Sequence, residues 1–119
     1  MMKNWILPTV LGLFAGVALA DAPEVVHVKT TNSGGTWRFD VSILHPDTGW
    51  DHYADGWAVI DADGNQLCFR SLAHPHENEQ PFTRSQSEII IPEGVAEVFI
   101  RTRDNVHGWF DARTAVTLP

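Results

Sequence analysis

Disulfides are excluded at the outset, because the chain has one cysteine, Cys68, and its core must hold without a covalent staple. Methionine is equally scarce. Met1 and Met2 are the two in the chain, so everything after residue 20 lacks the soft thioether ligands of electron-transfer copper sites and Cu(I) carriers. Basic residues are few: setting aside Lys3 from the 8 Lys and Arg leaves 7 against 15 Asp and Glu, a balance of −8 with histidine neutral. That balance argues against nucleic acid and anionic lipid as partners, since both demand a basic patch. Beyond the first twenty residues no apolar helical period is present, which turns the fold question towards strands.

Those first twenty residues have the layout of a secretory leader: Lys3 near the start, an apolar run from Trp5 to Val17, and the small-x-small site Ala18-Leu19-Ala20. The apolar run is short for a membrane span. Cleavage after Ala20 would leave residues 21–119, 99 of the 119, as one exported domain starting at Asp21. No cysteine stands at that cut, which argues against a lipid-modified start and for a periplasmic or secreted protein with no membrane attachment after cleavage.

Strand signals follow one another from there. Glu24 to Lys29 is β-branched and ends in the turn-forming Asn32-Ser33-Gly34-Gly35. Thr36 to His45 alternates strictly, with Trp37, Phe39, Val41 and Ile43 on one face and Arg38, Asp40 and Ser42 on the other. Further strands are expected over 57–61, 66–72, 87–92, 96–103 and 113–118, with Ile89-Ile90-Ile91 buried on both faces. Asp63-Gly64 marks a hairpin. Asp61-Ala62-Asp63-Gly64-Asn65 is a turn and not a calcium loop, because Gln66 and Leu72 stand where such a loop needs glycine and glutamate. Seven short strands with turn signals between them predict an antiparallel sandwich of immunoglobulin or fibronectin type, with Trp57 buried at the head of the third strand.

In such a fold successive connections alternate between two poles. Connections 30–35, 62–65 and 92–95 fall at one pole and are short; 46–56, 73–86 and 104–112 fall at the other and are long. The long set holds, or directly follows, every histidine of the mature chain except His27, namely His45, His52, His74, His76 and His107. Loops gathered at one pole of a rigid scaffold are where binding function concentrates.

Within His74-Pro75-His76 the proline restricts the backbone between two imidazoles, and His107, His52 or His45 can complete a site for Zn(II) or Cu(II). Cys68 lies mid-strand, away from that pole. Arg84, with Glu77 and Glu79, is placed to pin the long loop by ion pairs, and Arg101 and Arg103 approach the same pole. Trp50, Tyr53 and Trp109, with Asp51 and Asp55, suit a protein or glycan partner. Asp51-His52 and His76-Glu77 could supply acid and base, but Thr83, Ser85 and Ser87 sit in no nucleophile-elbow pattern, so no catalytic residue is assigned.

The stretches Thr48-Gly49-Trp50-Asp51-His52-Tyr53-Ala54-Asp55, His74-Pro75-His76 with Glu79-Gln80-Pro81-Phe82-Thr83-Arg84-Ser85, and His107-Gly108 resemble a group of small exported proteins of Gram-negative bacteria. The resemblance implies a periplasmic setting and brings no activity with it. The expectation is a β-sandwich binding module holding a divalent transition metal through His74, His76 and His107, with His52 or His45 as a fourth ligand. An interaction module built on the loop aromatics, and then a small hydrolase, are the alternatives.

Overall fold

The computed structural model describes residues 22–119; the expected leader, its cleavage site and Asp21 lie outside the described residues. Eight strands run β1 (Glu24–Ser33), β2 (Thr36–Leu44), β3 (Ala54–Ile60), β4 (Gln66–Ser71), β5 (Phe82–Ile89), β6 (Glu97–Asp104), β7 (Gly108–Trp109) and β8 (Thr114–Thr117). They form two antiparallel sheets. One has the order β1-β2-β5; in the other β4, β3 and β6 are neighbours, and β6 also pairs with β7 and β8.

Both sheets close over one core. Phe39, Val41, Ile43, Phe82 and Ile89 come from the first, and Trp57, Val59, Val98, Ile100 and Val116 from the second. The alternation expected of β2 is visible here, with Phe39, Val41 and Ile43 fully buried and Arg38 exposed. Each such side chain contributes roughly 1.5–3 kcal/mol when fully withdrawn from water. Trp57 is completely enclosed.

Three boundaries differ from expectation. β3 begins at Ala54, three residues before Trp57, because Gly56 can carry the strand where a side chain could not: an added Cβ would lie 2.6 Å from Phe69 Cε1. A two-residue strand, Gly108–Trp109, pairs with Arg103 and Asp104 inside what was expected to be loop 104–112.

β5 occupies Phe82–Ile89 and not 87–92. Its polar residues Thr83 and Ser85 face Ser42 and Asp40 across the ladder, making hydroxyl and carboxylate bonds that replace an apolar pattern. Near its end one extra residue is accommodated, with Glu88 at φ 57° and the register shifting between Trp37 and Phe39. That bulge reverses side-chain parity. Ile89 therefore turns into the core while Ile90 is 71% exposed, so the Ile89-Ile90-Ile91 run is not buried on both faces.

The ends that matter next are the last residue of β2, the first of β3, the first of β5 and the last of β6. Ala54 pairs with Asp104 and Phe82 with Ile43, which brings segments 45–53, 72–81 and 105–107 to one pole.

Candidate metal centre

Each functional side chain at this pole is set by a local turn. β2 stops before Pro46, and His45 remains buried at its end, with its carbonyl accepting from the Asp47 N–H at 2.8 Å. The segment then doubles back through paired bonds, Thr48 N–H to the His52 carbonyl at 2.9 Å and His52 N–H to the Gly49 carbonyl at 3.1 Å. Gly49 has a φ of 126°, in the region open to glycine. At the end of β6 the Asp104 carboxylate caps its own turn. Oδ1 accepts from the N–H groups of Val106 at 3.0 Å and His107 at 2.6 Å, which carries the His107 ring back over the same carboxylate.

Asp104 Oδ2 is consequently surrounded by imidazole nitrogens. His52 Nε2 lies 3.0 Å away, His107 Nδ1 3.0 Å and His45 Nε2 3.6 Å. The rings of His45 and His52 meet edge to face at 4.9 Å between centroids, and those of His52 and His107 lie 5.7 Å apart. Asp104 is fully buried, His45 1% exposed, and the His52 and His107 side chains 29% and 43% exposed. The site thus has a dry floor and a wetter rim. One ligand atom from each of His45, His52 and Asp104 falls within 4.8 Å of the others.

Electrostatics favour a cation here. Burial alone would raise the Asp104 pKa, but the backbone N–H of His107 and the rings of His107 and His52 outweigh it and hold the carboxyl below its ordinary value. His45 is bonded through Nδ1 to Asp47 Oδ1 at 2.5 Å, and the donating tautomer leaves a lone pair on Nε2. That atom is buried with no hydrogen-bond partner among the described residues, and its nearest charged neighbour is the Asp104 carboxylate. A lone pair facing a carboxylate oxygen is repulsive unless a proton or a metal cation lies between them.

The structure divides the expected histidines into two groups. His45, His52 and His107 converge on Asp104, whereas His74 and His76 lie outside that cluster. The His76 ring is stacked on Phe82 (3.9 Å, 9° between planes), and its Nε2 accepts from Arg84 Nη2 at 2.7 Å. Burial first, and then the Arg84 guanidinium, keep this imidazole's pKa below its ordinary value. His74 is exposed, beside His76, with its Nδ1 near the Pro75 carbonyl. Glu79 is 3.8 Å from Arg84.

Among the aromatics, Trp50 is 67% exposed and meets Tyr53 edge to face. The Trp50 and Asp51 carbonyls accept from Asn105 Nδ2. Asp55 pairs with Arg103 at 2.8 Å. Trp109 packs against Phe69 with the guanidinium groups of Arg101 and Arg103 near its ring. Cys68 is half-buried on β4, and burial raises its thiol pKa.

Asp47, Gln80 and Asp104 were not singled out from the sequence. Two short spacings carry the missing signal: His45-x-Asp47, a histidine with an orienting carboxylate, and Asp104-x-x-His107, a carboxylate capping the turn that returns a histidine to it.

No family model matches the chain. A protein of Halomicrobium mukohataei named "Putative lipoprotein" is 42% identical over 87 residues, which is 72% of this chain; the chain spans 42% of that relative's length. Two solved structures share the fold. A hypothetical protein from Pyrococcus horikoshii OT3 aligns with a TM-score of 0.54 at 13% identity, and a superoxide reductase in its oxidized state with 0.52 at 15%. Each alignment covers 82% of this chain and 90% of the other.

Proposed function

We propose that this protein binds a divalent transition metal at the loop pole, through His45 Nε2, His52 Nε2 and an Asp104 oxygen, with His107 as the fourth group in reach. The observation that carries the reading is the orphaned His45 Nε2, enclosed and facing Asp104 across 3.6 Å. A zinc-like ion with bonds of about 2 Å places tetrahedral ligand atoms roughly 3.3 Å apart. The three atoms already lie within 4.8 Å, and side-chain movement alone can close them further. Imidazole with carboxylate is a donor set for Zn(II) or Cu(II). In binding, the ion takes the place of the direct contact between His52 Nε2 and Asp104 Oδ2. Asp47, bonded to the far side of His45, is the outer carboxylate that commonly orients a ligating histidine.

The reading is of binding and not of turnover, because a likeness at 15% identity to a superoxide reductase gives a fold and no reaction. A second reading, docking of a periplasmic protein or glycan, is favoured by one observation: the exposed Trp50, held against Tyr53 beside the same pole. The name of the Halomicrobium relative supports export, in line with the leader pattern over residues 1–20. The pairing orders β1-β2-β5 and β4-β3-β6-β8 support an immunoglobulin or fibronectin type of sandwich.

Calorimetric titration of the purified protein with Zn(II) and Cu(II) tests the metal reading. Binding tighter than micromolar, lost in His45→Ala and in His52→Ala, is expected; no such binding in the unaltered protein would overturn it.

A further inference from the structure

His45 is the most buried of the three imidazoles around Asp104, and it is braced by a segment that contributes no ligand. Its Nδ1 donates to Asp47 Oδ1 at 2.5 Å, and its backbone N–H donates to Gln80 Oε1 at 2.9 Å. Asp47 accepts two further bonds: Oδ1 also accepts from the Ala54 N–H at 3.0 Å, and Oδ2 accepts from the His76 N–H at 2.8 Å. Gln80 closes the ring of bonds by donating its Nε2 hydrogen to the His76 carbonyl at 2.8 Å. Both backbone polar groups of His76 are therefore used to brace the residue pair that fixes His45. The His76 side chain anchors this arrangement independently, between the Phe82 ring and Arg84.

From this arrangement we infer that Asp47 and Gln80, braced by segment 76–80, are positioning residues for the metal centre: before an ion arrives, Asp47 fixes the ring orientation and tautomer of His45, and Gln80 fixes the backbone that carries it. The inference rests on the metal reading and extends it to residues that touch no ion. The physical reason is preorganisation. A ligand already held in its bound rotamer and tautomer loses little freedom on binding, and outer carboxylates that orient metal-bound imidazoles typically account for 10–100-fold in affinity. His52 and His107, partly exposed at the rim, are left as the ligands that adjust.

The test uses the full protein and three variants. In Asp47→Asn the carboxylate charge that favours a proton on His45 Nδ1 is lost, and the donating amide deprives either the His76 N–H or both the His45 Nδ1–H and the Ala54 N–H of an acceptor. Gln80→Met keeps the length and removes both bonds. Val98→Ala is the control: it opens a core cavity six residues from Asp104, about 20 Å along the strand. Zn(II) affinity, measured where every variant is folded, should weaken 10–100-fold in Asp47→Asn and by a smaller factor in Gln80→Met, with Val98→Ala unchanged despite a lower Tm. The visible spectrum of bound Co(II) should change in Asp47→Asn, which a purely structural role would not produce.

A second measurement needs no metal. The ¹⁵N chemical shifts of His45 in metal-free protein should show Nδ1 protonated in the unaltered chain, with that preference relaxed in Asp47→Asn. Protonation at Nε2 alone in the unaltered protein overturns the inference whether or not metal binds. Tight binding with equal affinity in Asp47→Asn and the unaltered protein overturns it while leaving the metal reading intact.

Discussion

His52 Nε2 and Asp104 Oδ2 are 3.0 Å apart although 52 positions separate them in the chain. Four strands, β3 to β6, and the three reversals that join them lie between the two residues, so the end of β6 returns to the pole where β2 ends and β3 begins. The buried carboxylate then serves two purposes. It caps the 104–107 turn with one oxygen and presents the other to three imidazoles.

Replacing Asp104 should therefore separate stability from binding. Asp104→Ala leaves the Val106 and His107 N–H groups without their acceptor, and an unsatisfied buried donor costs about 1–3 kcal/mol. Urea denaturation should report a loss of that order, and Zn(II) titration of the folded fraction should report none of the original binding. Asp104→Asn keeps a capping oxygen, so it should recover most of the stability and little of the affinity.

Metal binding should appear directly in thermal unfolding. A ligand at 100 times its Kd, binding only the folded state, adds about 2.7 kcal/mol. For a domain near 100 residues that is a rise in Tm of roughly 10 °C or more. Zn(II) should produce it in the unaltered protein and not in His45→Ala, and a chelator should reverse it. The comparison is well posed because the lone cysteine, Cys68, sits on β4 away from the pole and its thiol pKa is raised.

His76 gives the pole a pH dependence with a definite sign. Its folded pKa lies below the ordinary 6.5, chiefly through burial and then through Arg84. As pH falls below about 6.5 the unfolded chain takes up this proton before the folded chain does, so stability is lost through that window down to the folded pKa. Tm measured in metal-free protein between pH 7.5 and 5.5 should fall more steeply in the unaltered chain than in His76→Gln. Equal slopes would mean that this imidazole is as easily protonated folded as unfolded.

The sequence made the pole legible and its chemistry less so, for identifiable reasons. Strand parity depends on turn signals and alternation, both local, and these bring His45, His52 and His107 together without any knowledge of contacts. Which histidines share a neighbour depends on side-chain direction, which is set by single residues. His74-Pro75-His76 looked like the ligand pair because its spacing is compact, yet Phe82 and Arg84 take the His76 ring. Asp104 looked like the polar start of a loop because nothing in a strand's last residue announces full burial. β5 was displaced for the same kind of reason: its hydroxyls satisfy Asp40 and Ser42 on the outer face, a pairing invisible to a hydrophobic pattern.

The bulge at Glu88 makes the sharpest prediction about how this sequence chooses its core. Along β5, Phe82 points inward opposite Ile43, and strict alternation would put Glu88 inward and Ile89 outward. The added residue at φ 57° inverts that order. Ile89→Ala should then cost about 2–5 kcal/mol as a core truncation. Ile90→Ala, its exposed neighbour, should stay within roughly 0.5 kcal/mol of the unaltered protein. Glu88→Gly removes the steric penalty of a left-handed backbone conformation and should be neutral or mildly stabilising. Glu88→Val, β-branched and ill-suited to that region, should destabilise. Deleting residue 88 restores simple alternation and leaves Ile89 facing the core, because it then stands an even number of residues from Phe82. Its urea midpoint should therefore fall less than that of Ile89→Ala, and a fall as large would mean that parity near the end of β5 is set elsewhere.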